Sequence, residues 1–367
     1  MVLKLATVFS GIGAVEHALK RMNIPHELVF ACDIDKFVKE SFFANYNIDE
    51  SRWFEDIDDI KGVVSAKFRN KVDLLVGGSP CQSFSIIGRR KGLEDPRGLL
   101  IYEFTRLVKE LRPKVFIYEN VKGILNHGNS ETWEEVKKKF NETGYTYYPE
   151  IINAKDHGIP QHRERLFVVG FREDNLDFEF PESKTLNLKM QDFLEDSPNP
   201  KYFLPEKGIK FVTKEKNIKK KYTQINGDIA LCQKANQQFN WHGDFVMEKP
   251  KEIDEKYFLS DKIANYVTSS GTKGFYSKPK TDLEVARPLL ASMHKMHRAG
   301  VDNYITKDAK IRKLTPRECL RLMGFDDRFK IVVSDTQMYK QAGNSIVVNV
   351  LIDLLENIGI QNYASED

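Results

Sequence analysis

Short apolar stretches alternate with amphipathic stretches through the first half of the chain, and this alternation limits the fold more than any other feature. Strands that alternate with helices at this spacing predict a doubly wound α/β sheet. The predicted strands are Leu3–Phe9, Glu27–Cys32, Val72–Val76, Val115–Tyr118 and Leu166–Phe171, and the predicted helices are Val15–Met22, Lys36–Asn45, Leu99–Leu111 and Trp133–Thr143.

The pattern changes after about Phe180, where prolines and lysines cluster and the periodic stretches become short. Regular periodicity returns at Pro316–Met323 and Ile346–Ile358. The last stretch is apolar on more than one face, so we expect a buried helix that packs against the first domain. We predict a first domain of residues 1–183 completed by 338–367, a loop-rich second domain of residues 184–310, and a hinge of residues 311–337.

The composition excludes several classes of protein. Hydrophobic residues make up 41% and charged residues 30% of the 367 residues, which is typical of a soluble globular protein. The net charge of +3 permits a nucleic-acid partner without requiring one. The four cysteines lack the paired spacing of zinc or disulfide sites. Because we find neither a signal peptide nor a membrane-spanning run, we expect a cytoplasmic protein.

A glycine-rich turn, Phe9–Gly13, joins the first predicted strand to the first predicted helix. Glycines at such a turn let a ligand approach the backbone closely. Asp33 ends the second predicted strand, where an acid commonly holds ribose hydroxyls. The pair fits an adenosine ligand without choosing between NAD and S-adenosylmethionine, and a plain turn with a helix-capping aspartate is the alternative.

Cys81 lies in the stretch Gly77–Ser85, which follows a buried strand at the edge where open α/β sheets bind ligands. A cysteine among small residues there can serve as a nucleophile through its thiolate. A buried structural cysteine is the alternative. The polar, glycine-rich stretch Ser83–Gly98 that follows favours a lid over an active site.

Glu119 follows the fourth predicted strand at the same sheet edge, where it can act as an acid partner or merely cap a helix. Arg163 and Arg165 precede the fifth strand, two residues apart. In extended backbone such side chains point the same way, so they would grip a base oxygen and a phosphate together, or else form surface salt bridges.

Taken together, these segments resemble the DNA cytosine-5 methyltransferase family, and the resemblance covers nearly the whole chain. The set of Pro-Cys-Gln, Glu-Asn-Val and Gln-x-Arg-x-Arg in this order is highly specific. In chain order the matching segments are Phe9–Gly13, Pro80–Gln82, Glu119–Val121, Gln161–Arg165, Arg312–Cys319 and Gln341–Ser345.

The resemblance implies a Rossmann-like methyltransferase domain with a smaller, loop-rich target recognition domain. The implied reaction moves a methyl group from S-adenosylmethionine to carbon 5 of a flipped cytosine and leaves S-adenosylhomocysteine. By resemblance, Cys81 attacks carbon 6 and Glu119 hydrogen-bonds or protonates N3. Arg165 would hold the base O2, and Arg163 would support the site.

The resemblance also implies a cofactor site in which Asp33 takes the ribose hydroxyls, Asp56 accepts from the adenine amino group, and Phe9 lies near the sulfonium. The full implied set is Phe9, Gly11, Ile12, Gly13, Asp33, Ile34, Asp56, Ile57, Pro80, Leu100, Asn344 and Ser345.

Double-stranded DNA is the implied partner. A zinc site from His294 and His297 is an alternative to DNA contact, but no other ligands cluster near them, and we expect no metal. The predicted DNA contacts are Ser85, Arg89, Arg90, Lys91, Arg97, Lys273, Leu289, Leu290, His294, Lys295, His297 and Arg298.

We expect a monomer, because one flipped base needs one active site. The compact layout resembles that of a bacterial or phage enzyme, either from a restriction-modification system with a separately encoded restriction endonuclease or standing alone. One alternative is a tRNA cytosine-5 methyltransferase, although the Cys-Phe-Thr signature of that branch is absent from the sequence. A non-catalytic DNA-binding relative and a nucleotide-dependent oxidoreductase are the remaining alternatives.

Overall fold

The computed structural model describes residues 1–79, 100–173, 178–235, 241–248, 259–268 and 310–365. Several predicted site residues lie outside these ranges, so their roles stay predictions. They are Pro80, Cys81, Ser85, Arg89, Arg90, Lys91, Arg97, Lys273, Leu289, Leu290, His294, Lys295, His297 and Arg298.

The strands are β1 (Leu3–Val8), β2 (His26–Cys32), β3 (Trp53–Phe54), β4 (Leu74–Gly77), β5 (Val115–Val121), β6 (Thr146–Asn153), β7 (Glu164–Phe171), β8 (Thr223–Ile225), β9 (Gly243–Glu248) and β10 (Lys310–Lys313). The α-helices are α1 (Ala14–Arg21), α2 (Lys36–Asn45), α3 (Val63–Phe68), α4 (Leu100–Leu111), α5 (Glu131–Asn141), α6 (Glu206–Val212), α7 (Glu215–Lys219), α8 (Asp261–Thr268), α9 (Pro316–Arg321), α10 (Asp335–Asn344) and α11 (Val348–Ile358). The 3₁₀ helices are Glu50–Arg52, Ile57–Asp59, Lys122–Ser130, Ala154–His157, Met190–Phe193, Pro200–Tyr202 and Ile360–Tyr363. None of these helices has the length and apolar character needed to cross a membrane.

Seven strands of the described residues form one sheet in the order β3–β2–β1–β4–β5–β7–β6. Strands β1 to β5 pair in parallel, whereas β7 runs antiparallel to both β5 and β6. The predicted doubly wound α/β fold is confirmed. The sequence patterns missed β3, which is two residues long, and the edge strand β6, where Pro149 and exposed polar residues obscure the alternation.

Helix α4 shows why the core forms beside β4 and β5. Its apolar side chains recur at helical spacing, so one face is buried. Phe104 on that face packs against Tyr118 of β5 with ring centroids 5.0 Å apart. Phe116, also on β5, stacks on Phe140 of α5 at 5.7 Å. These contacts hold β5 in position, and with it the residues at the carboxyl end of this strand.

The last helix returns to the first domain, as its apolar pattern predicted. Helix α11 is mostly buried from Val348 to Leu355, is exposed at Glu356 and Asn357, and packs against α1. Its Asp353 carboxylate lies 2.7 Å from Nδ1 of His157 and 2.6 Å from Nζ of Lys184. Arg21 of α1 donates to Oδ1 of Asn349 at 2.7 Å. The C-terminal segment is therefore an integral part of this domain.

The chain divides into one unit of Met1–Phe245 with Lys313–Asp367, and a second unit of Val246–Arg312. The prediction assigns residues 184–245 to the second domain, whereas these residues are bonded into the first of the two compact units. The functional boundary at residue 184 stays a prediction. Arg163 donates to the carbonyl of Gln233 at 3.1 Å, for example. Most of the expected hinge of residues 311–337 also belongs to the first unit, where Arg21 donates to the carbonyl of Gly324 at 2.8 Å.

Candidate active site

One edge of the sheet gathers the predicted site residues. The parallel strands β1, β2, β4 and β5 all end there, so the residues that close each strand come together. These are Phe9–Gly13, Asp33, Gly78–Ser79 and Glu119. Because β7 runs in the opposite direction, its beginning, with Arg165, lies at the same edge.

A cavity at this edge brings together the glycine turn, the end of β4, the acid of β5 and the residues after α10. Predicted residues Phe9, Gly11, Glu119, Asn344 and Ser345 line it. Among the described residues its lining is Thr7, Val8, Phe9, Ser10, Gly11, Ala14, Val15, Val76, Gly77, Gly78, Glu119, Asn344, Ser345 and Ile346.

The other predicted cofactor residues in the described part of the chain do not line this cavity; they are Ile12, Gly13, Asp33, Ile34, Asp56, Ile57 and Leu100. The side chains of Ile12 and Ile57 are buried in the protein interior. Asp56 is exposed, and its carboxylate accepts from the amide of Asp58 at 3.0 Å. Leu100 begins α4 and packs against the core.

The glycine turn is held by its surroundings. Gly13 has a φ of 76°, and a Cβ there would lie 2.2 Å from the ring of Tyr46. The Tyr46 hydroxyl also donates to the Gly13 carbonyl at 2.8 Å. Any other residue at this position would push Tyr46 away and strain the backbone.

The Asp33 carboxylate is fixed by two backbone amides. Oδ2 accepts from Gly11 at 2.9 Å, and Oδ1 accepts from Asp35 at 3.0 Å. Burial raises the pKa of this carboxyl, and the two hydrogen bonds oppose that rise. The neighbouring Ile34 side chain is 80% exposed. A fixed carboxylate beside an exposed apolar side chain suits a ribose with an attached base, so these residues fit an adenosine cofactor.

Glu119 and Arg165 form an ion pair within the cavity edge, with Nε of Arg165 3.2 Å from Oε1 of Glu119. Burial raises the pKa of the Glu119 carboxyl above its ordinary value, and the positive charges of Arg165 and Arg163 oppose that rise. A carboxyl group in this environment can hold a proton and give it up, which is what a general acid requires.

Arg163 has a different role from Arg165, because its guanidinium is buried among backbone carbonyls. It donates to Gln233 at 3.1 Å, to Gly343 at 3.1 Å and to Ser345 at 2.8 Å. It therefore joins the start of β7, the segment around Gln233 and the last predicted motif. Its guanidinium supports the site from behind.

The segment that leads to Cys81 begins beside the acid. A Cβ on Gly78 would lie 3.0 Å from Oε2 of Glu119, so only glycine fits without displacing the carboxyl. The Ser79 hydroxyl lies 2.6 Å from the Tyr118 hydroxyl, and Nδ2 of Asn120 donates to both hydroxyls. The asparagine of the Glu-Asn-Val motif thus anchors the end of β4 to β5.

Cys232 is a site residue that sequence reasoning missed. Its sulfur lies 3.7 Å from Nη1 of Arg163 and 3.8 Å from Nη2 of Arg165. Burial by itself would raise the pKa of this thiol, but the two guanidinium groups outweigh burial and lower it. No local motif marks Cys232, and only the tertiary contacts reveal its position.

Comparison with known proteins shows the family to which the chain belongs. The profile of the family described as C-5 cytosine-specific DNA methylase matches residues 3–359. The orphan methyltransferase M.SPRI of Bacillus phage SPR is 31% identical, across 100% of this chain and 99% of the phage protein. The type II methyltransferase M.HhaI of Haemophilus parahaemolyticus is 32% identical, across 97% of this chain and 94% of that protein.

The fold has a counterpart of known structure. The Entamoeba histolytica methyltransferase EhMeth superposes with a TM-score of 0.68 at 17% identity, covering 98% of each chain. That likeness concerns the fold, whereas the family profile and the bacterial and phage relatives concern the activity. On those grounds the chain belongs to the C-5 cytosine-specific DNA methylase family and is a DNA cytosine-5 methyltransferase.

Proposed function

We propose that this enzyme methylates carbon 5 of a cytosine flipped out of a specific double-stranded DNA sequence, through a transient covalent bond between Cys81 and carbon 6. The observation that carries the proposal is the Glu119–Arg165 ion pair, 3.2 Å long, at a cavity shared with the glycine turn. An acid and a fixed cation beside a cofactor cavity meet the needs of a base that must accept negative charge.

The chemistry starts with the thiolate of Cys81, which forms a bond to carbon 6 as the ring electrons move toward N3. Glu119 gives its proton to N3, so that charge on the ring is neutralised as it forms. Arg165 hydrogen-bonds the base O2. S-adenosylmethionine, when bound, supplies an electrophilic methyl group for carbon 5. Loss of the carbon 5 proton to a base then restores the bond between carbons 5 and 6 and expels the Cys81 thiolate, and N3 returns its proton to Glu119.

The cofactor would be held by residues at the ends of β1 and β2. Asp33 would accept hydrogen bonds from the ribose hydroxyls, because each of its oxygens retains a free lone pair after accepting an amide. Ile34 would pack on the adenine ring, and Phe9 would face the sulfonium. Asn344 and Ser345 would complete the wall, where the carbonyl of Ser345 is fixed by Arg163.

The target base must leave the duplex to reach this cavity, at a cost of a few kcal/mol. We propose that residues 184–310, which include most of the unit Val246–Arg312, read the DNA sequence, and that the stretch Ser83–Gly98 closes over the flipped base. We also propose that the enzyme acts as a monomer and protects host or phage DNA in a restriction-modification setting.

A methylation map would test the proposal directly. The protein is expressed in a host without cytosine methylation, and the host DNA is sequenced after chemical conversion of unmodified cytosines. Protection of one cytosine within a single short sequence is the expected result. Folded protein without any protected cytosine would contradict the proposal, and methylation of tRNA by the same preparation would identify the substrate as RNA.

A further inference from the structure

Glu16 is a buried carboxyl group that the proposed chemistry does not use. It lies in the first turn of α1, directly after the glycine turn, and it is 1% exposed. Its Oε1 accepts from the Thr7 hydroxyl at 3.1 Å. Its Oε2 has no hydrogen-bond partner in the described part of the chain. A buried carboxyl oxygen without a partner is costly and calls for a compensating function.

Two hydroxyl groups connect Glu16 to the cofactor cavity. Thr7 and Ser10 line the cavity, whereas Glu16 does not. Their hydroxyl oxygens lie 2.8 Å apart, and the Ser10 hydroxyl also lies 3.1 Å from the carbonyl of Cys32. These contacts form a row of hydrogen-bonded groups that runs from Glu16 through Thr7 and Ser10 to the end of β2.

The direction of this row depends on the charge of Glu16, because each hydroxyl has one hydrogen to donate. When Glu16 is ionised, Thr7 donates to it and Ser10 donates to Thr7. When Glu16 is protonated, Thr7 can donate to Ser10, and Ser10 can donate to the carbonyl of Cys32. Ionisation therefore turns both hydroxyl hydrogens toward Glu16 and leaves the oxygen of Ser10, a residue of the cavity lining, as an acceptor.

We propose that Glu16 makes this cavity prefer the cationic sulfonium of S-adenosylmethionine over the neutral thioether of S-adenosylhomocysteine. The inference rests on the proposed cofactor site and names the residue that distinguishes substrate from product there. A buried negative charge acts over several ångströms, because the protein interior screens it poorly. The carboxylate and its two hydroxyls therefore favour a positive ligand, and a neutral ligand gains nothing from them.

The preference must vary with pH. Burial raises the pKa of Glu16 to about 7, so the protonated and ionised forms coexist near neutral pH. A cation in the cavity favours the ionised form, so binding of the cation releases a proton and strengthens as pH rises. The neutral product lacks this coupling.

Other ionisable groups near the cavity are few among the described residues. Glu119 lines it from β5 with Arg165 and Arg163 behind, and Asp33, directly after β2, accepts from the amide of Gly11 in its lining. Burial, followed by the nearby charge of Glu16, raises the pKa of Tyr46, which follows α2. Asp33 would contact the ribose common to both ligands. Hydrogen bonds to that ribose cancel in the ratio of the two affinities, whereas the charges of Asp33 and Glu119 do not, and the variant Glu16→Gln separates their contribution from that of Glu16.

The experiment is calorimetric titration of the full chain, without DNA, with S-adenosylmethionine and S-adenosylhomocysteine. Titrations between about pH 6 and 8, each in two buffers of different ionisation enthalpy, give affinities and the protons released. The sulfonium lowers the pKa of the amino group in the cationic ligand, so the titration of each free ligand is measured separately and subtracted. In the wild type we expect the affinity for S-adenosylmethionine, divided by that for S-adenosylhomocysteine, to rise on the order of tenfold over this pH range. Only the binding of S-adenosylmethionine should release a proton.

Glu16→Gln should remove both the pH dependence and the proton release. Asp244→Asn is the matched control, because Asp244 is another buried carboxyl whose pKa burial raises to about 7, and it does not line the cavity. This control should keep the pH dependence, and Glu119→Gln tests whether the cavity-lining acid contributes to it. If Glu16→Gln does not fold, Thr7→Val provides the test instead. It breaks the row of hydrogen bonds between Glu16 and Ser10 and should weaken the dependence of the affinity ratio on pH.

A ratio that does not vary with pH in the wild type would overturn the inference while leaving the cofactor assignment intact. A ratio that varies equally in Glu16→Gln would overturn it too, and loss of the dependence in Glu119→Gln would transfer the role to Glu119. If neither ligand binds the folded protein, the cofactor assignment itself fails, and the inference fails with it.

Discussion

Nε of Arg165 lies 3.2 Å from Oε1 of Glu119, although the two residues belong to different strands. In the antiparallel pairing of β5 with β7, Arg165 is opposite Val121. Glu119 is two residues before Val121, so Glu119 and Arg165 are diagonal neighbours on one face of the sheet. This geometry places a cation beside the acid at the edge where the cofactor turn and the end of β4 also lie.

Replacement of Glu119 by glutamine should lower the rate of methyl transfer by about 10²- to 10⁴-fold, because the amide cannot give a proton to N3. The measurement is single-turnover transfer of a labelled methyl group to duplex DNA. Cofactor affinity should stay close to that of the wild type. A variant that retains most of its rate would remove Glu119 from the proton transfer.

Replacement of Cys81 by alanine should abolish methyl transfer while the protein still binds DNA, because the thiolate makes the bond to carbon 6. Duplex DNA with 5-fluorocytosine gives a second readout, since fluorine cannot leave as a proton does. The wild type should form a complex with this DNA that survives denaturation, and the alanine variant should not. Turnover by the variant would show that another group is the nucleophile.

Replacement of Asp33 by alanine should weaken cofactor binding by roughly ten- to a hundredfold, since hydrogen bonds to a charged group are lost. Asp35→Ala is the matched control. Asp35 caps α2 through the Phe37 amide at 2.9 Å, so its loss should cost roughly 1 kcal/mol of stability without weakening cofactor binding. Equal affinities for wild type and Asp33→Ala would exclude Asp33 from the cofactor site.

Replacement of Arg163 by methionine should lower the free energy of unfolding by roughly 2–4 kcal/mol, because buried carbonyls of Gln233, Gly343 and Ser345 lose their donor. Urea denaturation measures the change. Arg328→Met, which removes an exposed pair with Asp326, is the control and should leave the stability nearly unchanged. Similar stabilities for the two variants would contradict the bracing role of Arg163.

His17 should make the stability depend on pH. Burial lowers its pKa to about 4, and Nε2 accepts from the amide of Asp326 at 3.2 Å, so the neutral ring is the folded form. The unfolded chain binds the proton more readily, near pH 6.5. Stability should therefore fall as pH drops from about 6.5 to about 4. Urea denaturation at several pH values should show a shallower fall for His17→Gln, and an unchanged fall would contradict this account.

Much of the fold could be predicted because its elements are encoded locally. The predicted and observed bounds of Lys36–Asn45 coincide, and the other predicted strands and helices of the first half differ from the structure by a few residues at their ends. β3 and β6 escaped prediction, since two residues or a half-exposed edge strand carry no clear periodicity. Cys232 and Glu16 escaped as site residues, because no motif contains them.

By itself the sequence determined the alternation of strands and helices, the family and the identity of the acid and arginine motifs, since these depend on residues close together in the chain. Only the tertiary structure decided that β7 enters antiparallel between β5 and β6, so that Arg165 meets Glu119. It also decided that Arg163 turns inward to carbonyls and that Glu16 is buried behind Thr7. Strand direction and burial result from packing between segments far apart in the chain, which no local pattern records.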